Sequence, residues 1–303
     1  MTWLVPVSLL LPVLLLPLAR LSARTRRPER AARALAAAAV VTAACGTACL
    51  VLVAATLADD IPAVVAYSRQ ARSRGHILPE PIPDGVAIAV TLLLAFIGWR
   101  LAAELRRRRL VTSDLHAVGS ARDWLLVVDW ESPRAVAVPP RHGRRGHVLV
   151  TSGMLRLLDP RERAAVLAHE RAHLSHRHYR TTALAAAAAA VNPLLRPVES
   201  AVWLLAERSA DEDAARAVAD RRLVAQTVAK VALAAHSDGH TLGFGGSSTV
   251  RRVEALVKPH AGRQRPGGAP DFGAVILAAA SIAVAAAVLY EFVELFLAWL
   301  PTH

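Results

Sequence analysis

Aromatic residues are scarce in this chain: 5% of its 303 residues, although hydrophobic residues make up 54%. The apolar content is instead Ala, Leu and Val in long blocks, which suits helices in a lipid bilayer better than one soluble core. Cysteine occurs only as Cys45 and Cys49. Four apart within one apolar segment, they share a helix face and read as small packing residues, not as a disulfide framework or a metal site. Lysine is nearly missing, present only as Lys230 and Lys258, so the net charge of +12 is carried by arginine. A basic chain can signal nucleic-acid binding, but no nucleic-acid motif accompanies the charge, and no nucleic-acid partner is expected.

What is present is a series of apolar blocks with arginines beside them. Residues 3–19 are almost wholly apolar, interrupted by Pro6, Pro12 and Pro17. Their positive charges, Arg20, Arg24, Arg26 and Arg27, follow the block instead of preceding it, so an uncleaved first span fits better than a signal peptide. Further blocks run from about Ala34 to Ala58, Val86 to Ala103 and Gly273 to Leu300, each about long enough to cross a bilayer as a helix. The expected fold class is therefore mainly α and integral to the membrane, with four transmembrane helices. Positive residues prefer the cytoplasmic side. The arginines of the first loop and Arg106 to Arg109 put that loop and residues 105–271 in the cytoplasm, with both termini outside. The expected organisation is residues 1–104 as three spans with short loops, 105–258 as a cytoplasmic catalytic domain, 259–271 as a Pro-, Gly- and Arg-rich linker, and 272–303 as the fourth span and tail. The expected location is the cell (plasma) membrane.

The cytoplasmic segment carries folding signals. Leu125–Asp129 and His147–Thr151 read as short strands rich in Val and Leu. Asp159-Pro160-Arg161-Glu162 is a helix start, with Asp as N-cap, Pro at the first helical position and Glu three after the cap. That helix should run to about His178. Thr181–Ala206 is apolar but broken at Asn192-Pro193, which predicts a helical hairpin, packed on the protein or dipping into the membrane interface. Further helices are expected over about Val198–Val218 and Arg222–Ala235.

On the first of these helices lies His169-Glu170-Arg171-Ala172-His173. Residues four apart on a helix face the same way, so both imidazoles can reach one ion, and Glu170 stands beside it, able to take a proton from a water. Zinc suits neutral imidazole nitrogens, and a catalytic site needs a third protein ligand and one open position. The extended pattern His-Glu-x-x-His-x-x-Gly-x-x-His fails, because His176 and Tyr179 stand where Gly and His are required. A downstream glutamate is the alternative: Glu199, Glu207 or Glu212. Glu207 stands out because Asp211 lies one turn later and could hold a ligand histidine's other nitrogen. His176 and His178 read as solvated or interfacial.

These features resemble the antirepressor-type (BlaR/MecR-like) membrane metallopeptidases, related to the HtpX-like and prenyl-protein proteases. The resemblance rests on three spans, a His-Glu-x-x-His domain and a final span. It extends to Leu149-Val150-Thr151-Ser152-Gly153 before the motif, Asn192-Pro193 between the ligand helices, and Glu207-Arg208-Ser209-Ala210-Asp211. It implies a gluzincin-type α+β domain with one zinc ion per chain, held by His169, His173 and Glu207. Glu170 would be the catalytic base and Asp211 the support behind a ligand histidine. The implied activity is endopeptidase cleavage of a cytosolic or membrane-proximal protein, with a transcriptional repressor as candidate substrate. A membrane-protein quality-control protease and an idle zinc-binding scaffold are the alternatives. Sensor members carry an extracellular penicillin-binding domain after the last span; this chain stops at His303, so direct β-lactam sensing is not expected of it. An extended substrate is expected to add to an edge strand near His147–Thr151.

Overall fold

A computed structural model describes residues 4–22, 25–55, 84–119, 121, 123–141, 143–237, 245–257 and 269–298. The expected loop between the second and third blocks and most of the 259–271 linker lie outside these residues. The first apolar block forms α1 (Leu4–Leu10), a 3-10 turn (Leu11–Leu14) and α2 (Leu15–Ser22). Pro12 lies in the turn and Pro17 in α2; each removes a backbone donor, which accounts for the break in the ladder. The other blocks form α3 (Pro28–Ala55), α4 (Asp84–Ala117) and, near the C-terminus, the long helix Ala269–Ala298. Among the described residues, three helices are long and apolar enough to cross a membrane: Pro28–Ala55, Gly85–Ala117 and Phe272–Glu291. The stretch Val7–Ser22 is apolar but shorter. Cys45 and Cys49 are both free thiols on α3, consistent with a packing role.

After α4 comes a three-stranded sheet: β1 (Leu125–Val128), β2 (Ala135–Val138) and β3 (His147–Thr151), in the order β1-β3-β2. Strand β3 is parallel to β1 and antiparallel to β2. All five residues of β3 are buried, as a strand covered on both sides must be. This corrects the expectation that His147–Thr151 forms an edge: both of its ladders are taken, and the edges are β1 and β2. Strand β2 escaped the sequence reading because it is four Ala and Val residues hemmed in by Pro133 and Pro139-Pro140.

The chain turns from β3 directly into α5 (Ser152–Leu157), where the Thr151 hydroxyl accepts the Met154 N–H at 3.2 Å. Gly153 is obligatory here: a Cβ would lie 1.8 Å from the Glu131 carbonyl oxygen. The next helix, α6 (Pro160–Ser175), starts as its sequence predicts. Asp159 accepts from the N–H groups of Arg161 and Glu162, and Glu162 accepts from that of Asp159. It stops earlier than expected. His176 closes it, Arg177 takes a left-handed conformation (φ 54°), and α7 begins at His178. That break re-aims the chain, and the alanine-rich α7 (His178–Val191) packs against α3.

At Asn192-Pro193 the hairpin turns. The Asn192 side chain accepts from the Leu194 N–H at 3.0 Å and donates to the Leu9 carbonyl at 3.4 Å. The chain then enters α8 (Arg196–Val218). Leu195, Val198, Val202 and Leu205 share one apolar core with Leu15 of α2, Leu35 and Ala39 of α3, Ala185, Ala188 and Ala189 of α7 and Leu277 of the C-terminal helix. The expected hairpin is therefore built into the helical bundle; small side chains let its backbone approach α3 closely. Two helices complete this part, α9 (Arg221–Ser237) and α10 (Gly245–Val257), and Ala269–Ala298 is α11. Helix α10 was not foreseen. Its Leu256 joins Ala165 of α6, Ala214 of α8 and Val224 of α9 in a second core, which docks it behind the motif helix.

Candidate metal centre

Helix α6 sets His169 and His173 on one face with their Nε2 atoms 3.1 Å apart. Helix α8 crosses it and delivers Glu207. Its Oε2 lies 3.5 Å from His169 Nε2, and its Oε1 lies 3.4 Å from His173 Nε2. These are the separations one ion imposes: ligand atoms at about 2.0–2.1 Å in a tetrahedral arrangement stand about 3.3 Å from one another. Among the described residues, His169, His173 and Glu207 are the group with metal-binding geometry. The donor set, two imidazoles and one carboxylate, matches a catalytic zinc site with a fourth position left over.

Neither alternative glutamate approaches the imidazoles. Glu199 sits in the field of Arg108 and Arg107 on α4. Glu212 is paired with Arg221, at 2.9 Å between Oε1 and Nη2.

The surroundings favour a cation. Asp211 is 1% exposed and accepts from His169 Nδ1 at 3.0 Å, behind the nitrogen that faces His173 and Glu207. Burial acts to lower the His169 pKa, but its hydrogen bonds to Asp211 and Glu207 raise it to about 10. Burial of Glu207 would raise its carboxyl, yet Arg252 and the two histidines hold it far below the usual carboxylate range. Asp211 is lowered too: hydrogen bonds from Arg252 and His169 outweigh its burial. His173 is pushed down to about 4, chiefly by burial.

Glu170 lies beside this group. Burial pushes its carboxyl up to about 7, and the Ala137 backbone N–H donates to it. A carboxylate poised near neutral pH is what general-base chemistry calls for.

Two contributors escaped the sequence reading. His178 is buried, not solvated: its Nδ1 lies 3.0 Å from the Nδ1 of His173, the position Asp211 takes behind His169. Arg252 of α10 contacts both Glu207 and Asp211. No local signal marks either residue, since Arg251 stands next to Arg252 and His176 stands near His178. His176 is not simply solvated either. Its Nδ1 meets Glu29 of α3 at 2.9 Å and its Nε2 meets Asp213 of α8 at 2.5 Å, tying the end of the motif helix to the start of α3.

A His-Glu-x-x-His helix crossed by a helix bearing a glutamate, beside a small sheet, defines the chain as a metallopeptidase. Residues 108–303 match the model of peptidase family M48, and the chain belongs to that family. No curated protein and no solved structure matches it.

Proposed function

We propose that this chain is a membrane-embedded zinc endopeptidase, of the antirepressor-like kind, that cleaves a cytosolic or membrane-proximal protein. The observation that carries the reading is the His169–His173–Glu207 triangle, with candidate ligand atoms 3.1 to 3.5 Å apart and Glu170 half-buried beside it. When bound, zinc supplies Lewis acidity toward the scissile carbonyl and the attacking water. His169, His173 and Glu207 would hold it. Glu170 takes the proton of the attacking water and passes it to the leaving amine. Asp211 and His178 fix the two imidazoles from behind.

The substrate reading moves from β3 to β2. Thr151 N–H donates to Arg134 O at 3.0 Å, so alternation along the pair turns the backbone groups of Ala135 and Ala137 away from β3. The Ala137 N–H already reaches Glu170. An extended peptide adding to this edge would lie across the site. Ala135→Pro deletes one outward donor and no ladder bond. Peptide KM should rise by roughly tenfold, the worth of one lost hydrogen bond, with metal content unchanged; an unaltered KM would place the substrate elsewhere.

For the membrane arrangement we propose four spans with residues 105–271 on the cytoplasmic side, as the Arg106–Arg109 cluster and the Arg-rich first loop require. The shared core of α2, α3, α7, α8 and α11 ties the catalytic helices to the apolar bundle. Reporter fusions placed after Arg109 and between residues 60 and 80 should report opposite sides of the plasma membrane. The same side for both would refute this topology. The natural substrate is then read from cells carrying Glu170→Gln protein, as peptides that accumulate uncut relative to wild type.

A further inference from the structure

Arg252 belongs to neither ligand helix. It reaches the centre from α10, and all three of its guanidinium nitrogens are engaged there. Its Nε and Nη2 grip Asp211 in a two-pronged pair at 2.8 and 2.7 Å, and its Nη1 meets Glu207 Oε2 at 2.9 Å. The contacts are sheltered: side-chain exposure is 14% for Arg252, 12% for Glu207 and 2% for Asp211. Asp211 Oδ1 at the same time accepts from His169 Nδ1. One planar group thus sets the angle between the two carboxylates and, through Asp211, the roll of one imidazole. We propose that Arg252 is a positioning residue of the metal centre, holding Glu207 and Asp211 so that Glu207 and His169 face one ion. This rests on the metallopeptidase reading given above.

Two effects of opposite sign follow from that placement. A positive charge near a cation site repels the cation, so removing it would tighten binding. Holding the ligands in place favours the cation, so removing the guanidinium would loosen binding. The second effect dominates, because the charge of Arg252 is compensated by the two carboxylates it touches. Without it those buried carboxylates repel each other and turn apart. Lysine does not replace it: an ammonium is a point donor and lacks the fork that grips Asp211 while reaching Glu207.

The test uses the full chain in detergent micelles, titrated with zinc against a competing chelator, with Co2+ as a spectroscopic substitute. Arg252→Gln and Arg252→Lys should each weaken zinc binding by about 10–100-fold, the usual size for residues behind a ligand. Both should also alter the visible Co2+ spectrum while helicity is retained. Arg251→Gln removes the exposed neighbouring arginine without touching the centre or the packing of α10; it should leave zinc binding and the Co2+ spectrum as in the wild type. Should Arg252→Gln misfold, Arg252→Lys carries the reading. The double variant Arg252→Gln/Asp211→Asn should bind zinc no worse than the weaker single, because both act through one linkage. Zinc binding unchanged or tighter in Arg252→Gln, full recovery by Lys, or losses that simply add in the double variant would overturn the proposal. Zinc retained in Glu207→Ala would instead overturn the metal-site reading on which it stands.

Discussion

Glu170→Gln protein is expected to keep its zinc and its fold while losing at least about 10²-fold, and up to about 10⁴-fold, of its proteolytic rate, the range a placed base contributes. The substitution preserves size and shape. It removes a carboxylate whose charge is already disfavoured by burial, so the fold loses no favourable ion pair. The amide oxygen can still accept from the Ala137 N–H. Glu170 supplies no atom to the ligand triangle, so metal content should stay near that of the wild type. Zinc stoichiometry and cleavage of a model peptide, measured on the same purified preparation, decide the matter. A scaffold with a structural ion would show no effect from this change yet fail when a histidine is removed. Undiminished cleavage by Glu170→Gln protein would end the mechanism proposed above.

His169→Ala, His173→Ala and Glu207→Ala should each lose most of the bound zinc, and activity with it. Each removes one of the three side chains whose ligand atoms lie within reach of a single ion. Asp211→Ala should weaken zinc by about 10–100-fold without abolishing it, because Asp211 acts on His169 and not on the ion. The controls lie on the same helix. Glu199 faces the arginines of α4 and Glu212 is held by Arg221, so neither alanine variant should change metal content. Metal analysis of the purified variants gives the answer directly. Zinc lost from Glu199→Ala or Glu212→Ala but kept in Glu207→Ala would reassign the third ligand.

The division between what was legible in the sequence and what was not follows the range of the interactions concerned. The start of α6 was legible because a cap is a local device: Asp159, Pro160 and Glu162 satisfy backbone groups within one turn of themselves. The pairing of His169 with His173 was legible because helical geometry puts residues four apart on one face. The apolar blocks announced helices because backbone groups in lipid must be satisfied within the segment. Their continuity was not legible: prolines break the first block into α1, a 3-10 turn and α2.

Tertiary structure decided the rest. Whether Glu199, Glu207 or Glu212 meets the imidazoles depends on where α8 crosses α6. The break at Arg177 and the packing of α7 against α3 set that crossing, and a helical pattern does not encode it. The edge of the sheet could not be read from β3 alone, since an edge is defined by the strands that fail to pair. Arg252 was out of reach for the same reason. It stands forty-five residues beyond Glu207 on a helix with no distinguishing motif, and only the docking of α10 through Leu256 brings its guanidinium between Glu207 and Asp211. The sequence alone determined the chemistry of the motif, because two histidines and a glutamate on one helical turn depend only on their neighbours. The folded chain determined which distant side chains complete and orient that chemistry, because those contacts exist only when separate helices pack together.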